Sequence, residues 1–189
     1  MPKKTMRRSP DAEETQARIM HAAMGVLKEH GLTDWTVEEV AKRAECAKGL
    51  VNYHFSSKTT LLTIVATQAR TARSTRRLLA LKHSGADALD RLWATMIEEA
   101  HSGGLQLWLA LLAYPPTTGS ATVSASERQL LTTSAATALN LRPTHPSLAI
   151  LPATLDGLEL ELYQGAPEAD VRERYDRFWL DLLTTAGAG

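Results

Sequence analysis

The chain has 189 residues, 44% hydrophobic and 22% charged, and its 21 Lys/Arg balance 21 Asp/Glu. That length holds one large or two small cored domains, and a zero net charge excludes capture of a polyanion by bulk charge alone. A single cysteine, Cys46, rules out an intrachain disulfide and fits a reducing compartment.

Residues 1–9 carry Lys3, Lys4, Arg7 and Arg8 and read as a flexible basic tail. A secretory leader needs an apolar stretch next, but Asp11, Glu13 and Glu14 stand there. Ser9-Pro10 opens a first helix: serine as cap, proline at the first helical position, acids in the first turn. Ile19, Ala23, Val26 and Leu27 recur at helical spacing, and Gly31 is the expected C-terminal cap. Thr36-Val-Glu-Glu39 fits a capping box, in which threonine caps and the glutamate three residues on returns the bond. The short helix it opens carries Val37, Val40, Ala41 and Ala44. Glu45–Ala47 interrupt it, and a second short helix is expected over 47–54. Ser56-Ser57 then cap a long helix, 58–82, with Leu61, Leu62, Val65 and Ala69 as its apolar stripe.

His83-Ser-Gly85 marks a boundary. Beyond it the pattern predicts helices at 86–101, 104–113, 120–140, 147–164 and 168–185. The breaks are Ser102-Gly-Gly104, Pro115-Pro116, Arg142-Pro143 and Gly165-Ala-Pro167. Pro152 predicts that the fourth of these helices is kinked or starts late. No period-2 run marks a strand, so the expected fold class is all-α, with nine helices in all. The most apolar run, Leu105–Tyr114, is half the ~20 residues of a membrane span. No membrane partner is expected, and the chain reads as cytoplasmic.

Charge is unevenly spread. Residues 1–58 hold ten Lys/Arg against eight Asp/Glu, 59–83 hold five against none, and 84–189 hold six against thirteen. The front can meet a polyanion and the back is suited to something else.

Two short helices joined by a tight turn and supported by a preceding helix have the layout of a helix-turn-helix, whose second helix reads the major groove of duplex DNA. Thr36-Val-Glu-Glu-Val-Ala-Lys-Arg-Ala44, Lys48-Gly-Leu-Val-Asn-Tyr-His-Phe-Ser-Ser-Lys58 and Leu61-Leu62 closely resemble the N-terminal domain of the tetracycline-repressor (TetR/AcrR) family over residues 12–65. Leu-Asp-Gly-Leu at 155–158 also resembles that family's penultimate helix. Three residues depart from the pattern. Glu45 stands at a turn position where the family has glycine, Ala47 where it has a serine cap, and Asn52 where it has tyrosine, although Tyr53 follows.

The resemblance implies a flexible tail (1–9), a three-helix helix-turn-helix DNA-binding domain (10–58), a long linking helix (59–83) and a larger helical effector-binding and dimerisation domain (84–189). It implies a ligand-responsive regulator, by family habit a repressor, that binds palindromic operator DNA as a homodimer and is released by an unidentified small-molecule effector. Candidate DNA-contacting residues are Thr36, Lys48, Gly49, Leu50, Asn52, Tyr53, His54 and Lys58. Lys48 suits a phosphate or a guanine edge, and Leu50 suits a thymine methyl. Asn52 suits a phosphate or adenine, and Thr36 at a helix N-terminus suits a phosphate. Gly49 lets backbone approach the DNA closely. By resemblance, Tyr53, His54 and Lys58 lie near the DNA backbone. Phe55 reads as core. The last two helices are implied to pair with their copies, with Leu155, Leu158, Leu162, Tyr175, Phe178, Trp179 and Leu182 as the surface.

Trp93, Met96, Trp108 and Tyr114 lie on apolar helices and are candidates for the lining of a ligand pocket, beside the plainer reading of core packing. Arg70, Arg73 and Arg77 share one helix face, read either as an extension of the DNA-facing field or as a solvated face. Glu98-Glu-Ala-His101 has the Glu-x-x-His spacing of di-iron bundles, but Glu159 and Glu161 bring no second copy. No cofactor, metal or catalytic constellation is expected. A helical enzyme with an incidental helix-turn-helix, or an interaction module that has lost DNA binding, are the rival readings.

Overall fold

A computed structural model of the chain describes residues 10–113 and 125–187, with side chains over 11–111 and 125–185. Those residues form nine α-helices and no strand: α1 (Pro10–Asp34), α2 (Val37–Arg43), α3 (Lys48–Phe55), α4 (Lys58–Ala80), α5 (Gly85–His101), α6 (Gly104–Ala113), α7 (Ala125–Ala138), α8 (Leu151–Tyr163) and α9 (Glu168–Gly187). The fold class is all-α, as the periodicity predicts. The cap at Ser9, the basic tail, Tyr114, the Pro115-Pro116 break and the expected helix start at 120 lie outside the described residues. The chain divides into two compact units, Met1–Thr67 and Gln68–Gly189, and the division falls inside α4.

The first unit is organised by short helices that cannot stand alone. A helix of seven or eight residues is unstable in water without tertiary packing. Here Val40, Ala41 and Ala44 of the second helical segment, Val51 and Phe55 of α3, and Leu61, Leu62 and Val65 of α4 are all buried with Ile19, Ala23, Val26, Leu27 and Trp35. Gly31 has φ 72° and breaks the regular course of α1 before its last turn ends at Asp34. Only a residue without a Cβ reaches that region without strain. Thr36 caps α2 as expected: its hydroxyl accepts from the Glu39 amide at 3.2 Å, and the Glu39 carboxylate accepts from the Thr36 amide at 2.8 Å. The Thr36 hydroxyl also donates to that carboxylate at 2.9 Å, and this bond, then the one from the Thr36 amide, holds the Glu39 carboxyl below its usual pKa.

The turn between α2 and α3 carries two of the family departures, and both have a local consequence. Glu45 adopts φ 52°, in the left-handed region. Ala47 is the N-cap of α3 and supplies no side-chain acceptor to its open amides. The Ser57 hydroxyl does accept from the Thr60 amide at 3.0 Å, starting α4.

In the second unit Leu92, Met96, Leu131, Ala135, Leu148, Leu151, Leu155, Tyr175 and Trp179 form one core. The Tyr175 hydroxyl donates to the Leu89 carbonyl at 2.7 Å, and burial pushes its pKa up. Pro152 acts as the pattern predicts. A 3-10 turn over Pro146–Ile150 comes first, and α8 begins at Leu151 with the proline in its first turn, where no amide donor is needed.

Glu45→Gly relieves left-handed strain and Ala47→Ser restores a cap. Each is expected to stabilise the first unit by about 1 kcal/mol. Urea unfolding followed by helix signal checks this, with both midpoints moving up and the slope unchanged.

Candidate nucleic-acid interface

The helix α3 has two faces. Val51 and Phe55, four residues apart, are each 1% exposed and pin it to the first unit. Lys48, Gly49, Asn52 and Tyr53 are exposed, Tyr53 at 80%, and Leu50 and His54 are half-buried. The Tyr53 ring stands edge-on to His54, with centroids 5.4 Å apart. A Cβ built on Gly49 meets nothing within 4 Å, so that side of the helix is open. Thr36 is exposed at the start of α2.

Two cations already have partners. The Lys48 ammonium donates to the Glu38 carboxylate on α2, which holds that carboxyl below its usual range. Lys58 donates to the Trp35 carbonyl at 2.6 Å, and its ammonium lies 4.4 Å from the centroid of the Trp35 ring. The ammonium has three donors, and the carbonyl takes one of them. Phe55 is core, as its place in the pattern suggests.

Residues 19–63, which include this whole arrangement, match the family described as bacterial regulatory proteins, tetR family. These residues carry the helix-turn-helix domain of the TetR family of transcriptional regulators. The chain is 29% identical over 108 residues to the HTH-type transcriptional regulator SrpR of Pseudomonas putida, covering 55% of this chain and 48% of SrpR. The match thus spans about half the length of that relative. A second Pseudomonas putida relative, the HTH-type transcriptional regulator TtgW, is 28% identical over 108 residues, covering 55% of this chain and 76% of TtgW. Among solved structures, a member of the TetR family from Streptomyces coelicolor superposes with TM-score 0.64 and 25% identity, over 87% of this chain and 98% of that one. The multidrug binding protein EbrR, complexed with imidazole, shares the fold with TM-score 0.62 and 24% identity, over 94% and 96% of the two chains.

The second unit holds a feature that the sequence pattern did not reveal. Arg73 and Arg77 are 5% and 7% exposed, so they form neither a solvated face nor an outward basic field. Both expectations for the Arg70, Arg73, Arg77 face are corrected here. The α4 stripe turns these residues onto carboxylates of α8 and α5. Arg73 Nη2 donates to Glu159 and, at 3.2 Å, to Asp156. Arg77 Nη2 lies 3.0 Å from Asp156 and 2.9 Å from Glu159. Arg76 pairs with Glu99, and Arg70 lies 3.4 Å from Glu127. The Arg73 guanidinium is also 3.9 Å from the centroid of the Trp108 ring. Burial, then the neighbouring Arg77, lowers the Arg73 pKa. For Arg77 burial acts the same way, but Glu159 and Asp156 outweigh it and leave the pKa raised. One signal was present in the sequence: Asp156 and Glu159 are three apart, as are Arg70 and Arg73, so each set shares a helix face.

The pocket candidates do not converge. Met96 is fully buried in the core. Trp93 is half-buried, 5.3 Å from the Tyr175 ring, and lines a shallow groove with Ile97 and Arg172. Trp108 lines a different cavity, beside the arginines.

The pairing surface also needs correction. Leu155, Leu158, Tyr175, Trp179 and Leu182 are buried within the subunit, and Leu162 and Phe178 pack partly against the same core. Leu155, Leu158, Tyr175, Trp179 and Leu182 form the inward stripes of α8 and α9, so the subunit spends them on its own core, while Leu162 and Phe178 stay half-buried. Among the described residues, the large apolar side chains that α8 and α9 leave exposed are Leu160, Tyr163, Leu180 and Leu183. On α9, Leu180 and Leu183 lie off the Val171, Tyr175, Trp179, Leu182 stripe, and that second apolar face was the missed signal.

Removing one carboxylate from the buried cluster leaves guanidinium charge uncompensated. Glu159→Leu is expected to cost about 3–5 kcal/mol. Denaturant unfolding of the second unit measures it, and a loss below about 1 kcal/mol would mean that water reaches the cluster.

Proposed function

We propose that this protein is a cytoplasmic, homodimeric repressor that binds palindromic operator DNA through α3 and releases it when a small-molecule effector occupies the second unit. The observation that carries the reading is the division of α3 into an anchored face, Val51 and Phe55, and an outward polar face, Lys48, Gly49, Asn52 and Tyr53. A probe held on one side and bare on the other is what groove reading requires.

The roles follow from chemistry. Lys48 exchanges Glu38 for a phosphate or a guanine edge, Asn52 meets phosphate or adenine, and Leu50 meets a thymine methyl. Gly49 admits close backbone approach. Thr36, Tyr53, His54 and the spare donors of Lys58 hold the sugar-phosphate backbone on either side.

Two copies are needed for a two-fold operator. Leu160 and Tyr163 on α8 and Leu180 and Leu183 on α9 offer an exposed apolar surface on the helices that the family resemblance assigns to pairing. The helix α4 contributes to both units and is the proposed lever. An effector favouring one disposition of α4 weakens the DNA complex by its coupling factor, and DNA weakens effector binding equally.

Measured with operator DNA selected from a random pool, Lys48→Ala is expected to lower affinity and flatten the log affinity against log salt slope by up to ~0.9. Tyr53→Phe removes a neutral donor, so it lowers affinity while leaving that slope unchanged. A wild-type chain that selects no DNA defeats the reading. For assembly, Leu180→Glu places charge in the proposed interface. Sedimentation should show monomers where the wild type is dimeric, with operator affinity falling at least tenfold. A monomeric wild type at micromolar concentration would overturn the dimer.

A further inference from the structure

The arginine cluster encloses a small cavity of about 30 Å³, lined by Arg70, Arg73, Arg77, Trp108 and Glu127 among others. That is room for about two waters as it stands. Three of its lining groups carry buried N–H donors with no hydrogen-bond partner: Arg73 Nη1, Arg77 Nε and Trp108 Nε1. All three side chains are more than nine-tenths buried. A buried donor without an acceptor is costly, and one cluster holding three of them is unusual among native interiors.

The charges are arranged with a direction. Asp156 and Glu159 take the Nη2 atoms of Arg73 and Arg77, and neither carboxylate lines the cavity. Glu99 lies 3.8 Å from Arg73 Nη1, beyond hydrogen-bond distance. The cavity therefore meets three guanidinium groups and one carboxylate, Glu127, which lies 3.4 Å from Arg70. A guest acceptor at this point completes the arginine forks and meets a positive wall, while a cation is repelled. The flat Trp108 face, already against Arg73, offers apolar surface for the rest of a guest.

We propose that this cavity is an anion subsite that binds the carboxylate head of a small organic acid through Arg73, Arg77 and Trp108. The inference rests on the effector-responsive reading of the second unit and gives that effector a chemical class. Arg77 and Arg73 supply the charge-assisted bonds, and the Trp108 indole N–H supplies a third. The guest takes the donors that Asp156 and Glu159 leave over, on the same two guanidinium groups that attach α4 to α8.

The test titrates the purified full-length protein with acetate, propionate and butyrate. The matching amides and sodium chloride, at equal ionic strength, are the controls. The expected result is that the acids raise Tm by about 4 °C at ten times their Kd and change tryptophan fluorescence, while amides and chloride do neither. Calorimetric titration of Trp108→Phe, which keeps the ring and loses the donor, should show affinity about tenfold lower for the acids. Amides binding as well as acids, a Tm response that follows ionic strength alone, or an unchanged Trp108→Phe affinity would each overturn the proposal. Operator binding is then followed with the acids present. Acids that bind without releasing DNA leave the anion site standing and defeat the effector reading. DNA release by neutral or cationic compounds, with the acids silent, does the reverse.

Discussion

An eight-residue helix cannot hold itself together in water, so everything α3 does depends on the burial of Val51 and Phe55. Two side chains one helical turn apart fix both the axis and the rotation of the helix. With the rotation fixed, Lys48, Asn52 and Tyr53 have no choice but to face outward. The rest of the first unit serves this constraint: the capping box sets where α2 begins, and Trp35, Val40 and Leu61 are buried in the same unit.

The turn before α3 shows how much local misfit such packing tolerates. Glu45 is held in a left-handed conformation and Ala47 leaves the helix start without a side-chain acceptor. Each costs about 1 kcal/mol, and the buried contacts of α2 and α3 absorb both. The two departures at this turn are thus local costs in stability.

The second unit is built on a different principle. Burying guanidinium and carboxylate groups is expensive, and a hydrophobic cluster of the same volume would hold α4, α5 and α8 together at least as well. Arg73 and Arg77 against Asp156 and Glu159 instead give α4 a polar attachment whose cations have donors to spare. Such an attachment suits a helix shared by both units, and it makes the donors left over at Arg73, Arg77 and Trp108 a place where chemistry from outside can act.

Local signals in the sequence were sufficient for the helices and the helix-turn-helix. Thr36 and Glu39 cap as their spacing requires, Pro152 delays α8, and Phe55 is core as read. Each of these is set by residues within a turn or two of one another, so periodicity and capping rules reach them. The arginine cluster and the outer face of α8 and α9 were decided by tertiary structure alone. Arg73 meets a partner 86 positions away, and nothing in a helical pattern says whether a charged stripe finds water or a distant carboxylate. Likewise Tyr175 and Trp179 read as apolar surface until the fold shows them spent on the subunit's own core, with Leu180 and Leu183 left outside. Burial depends on what packs opposite, and the sequence of a single helix does not contain it.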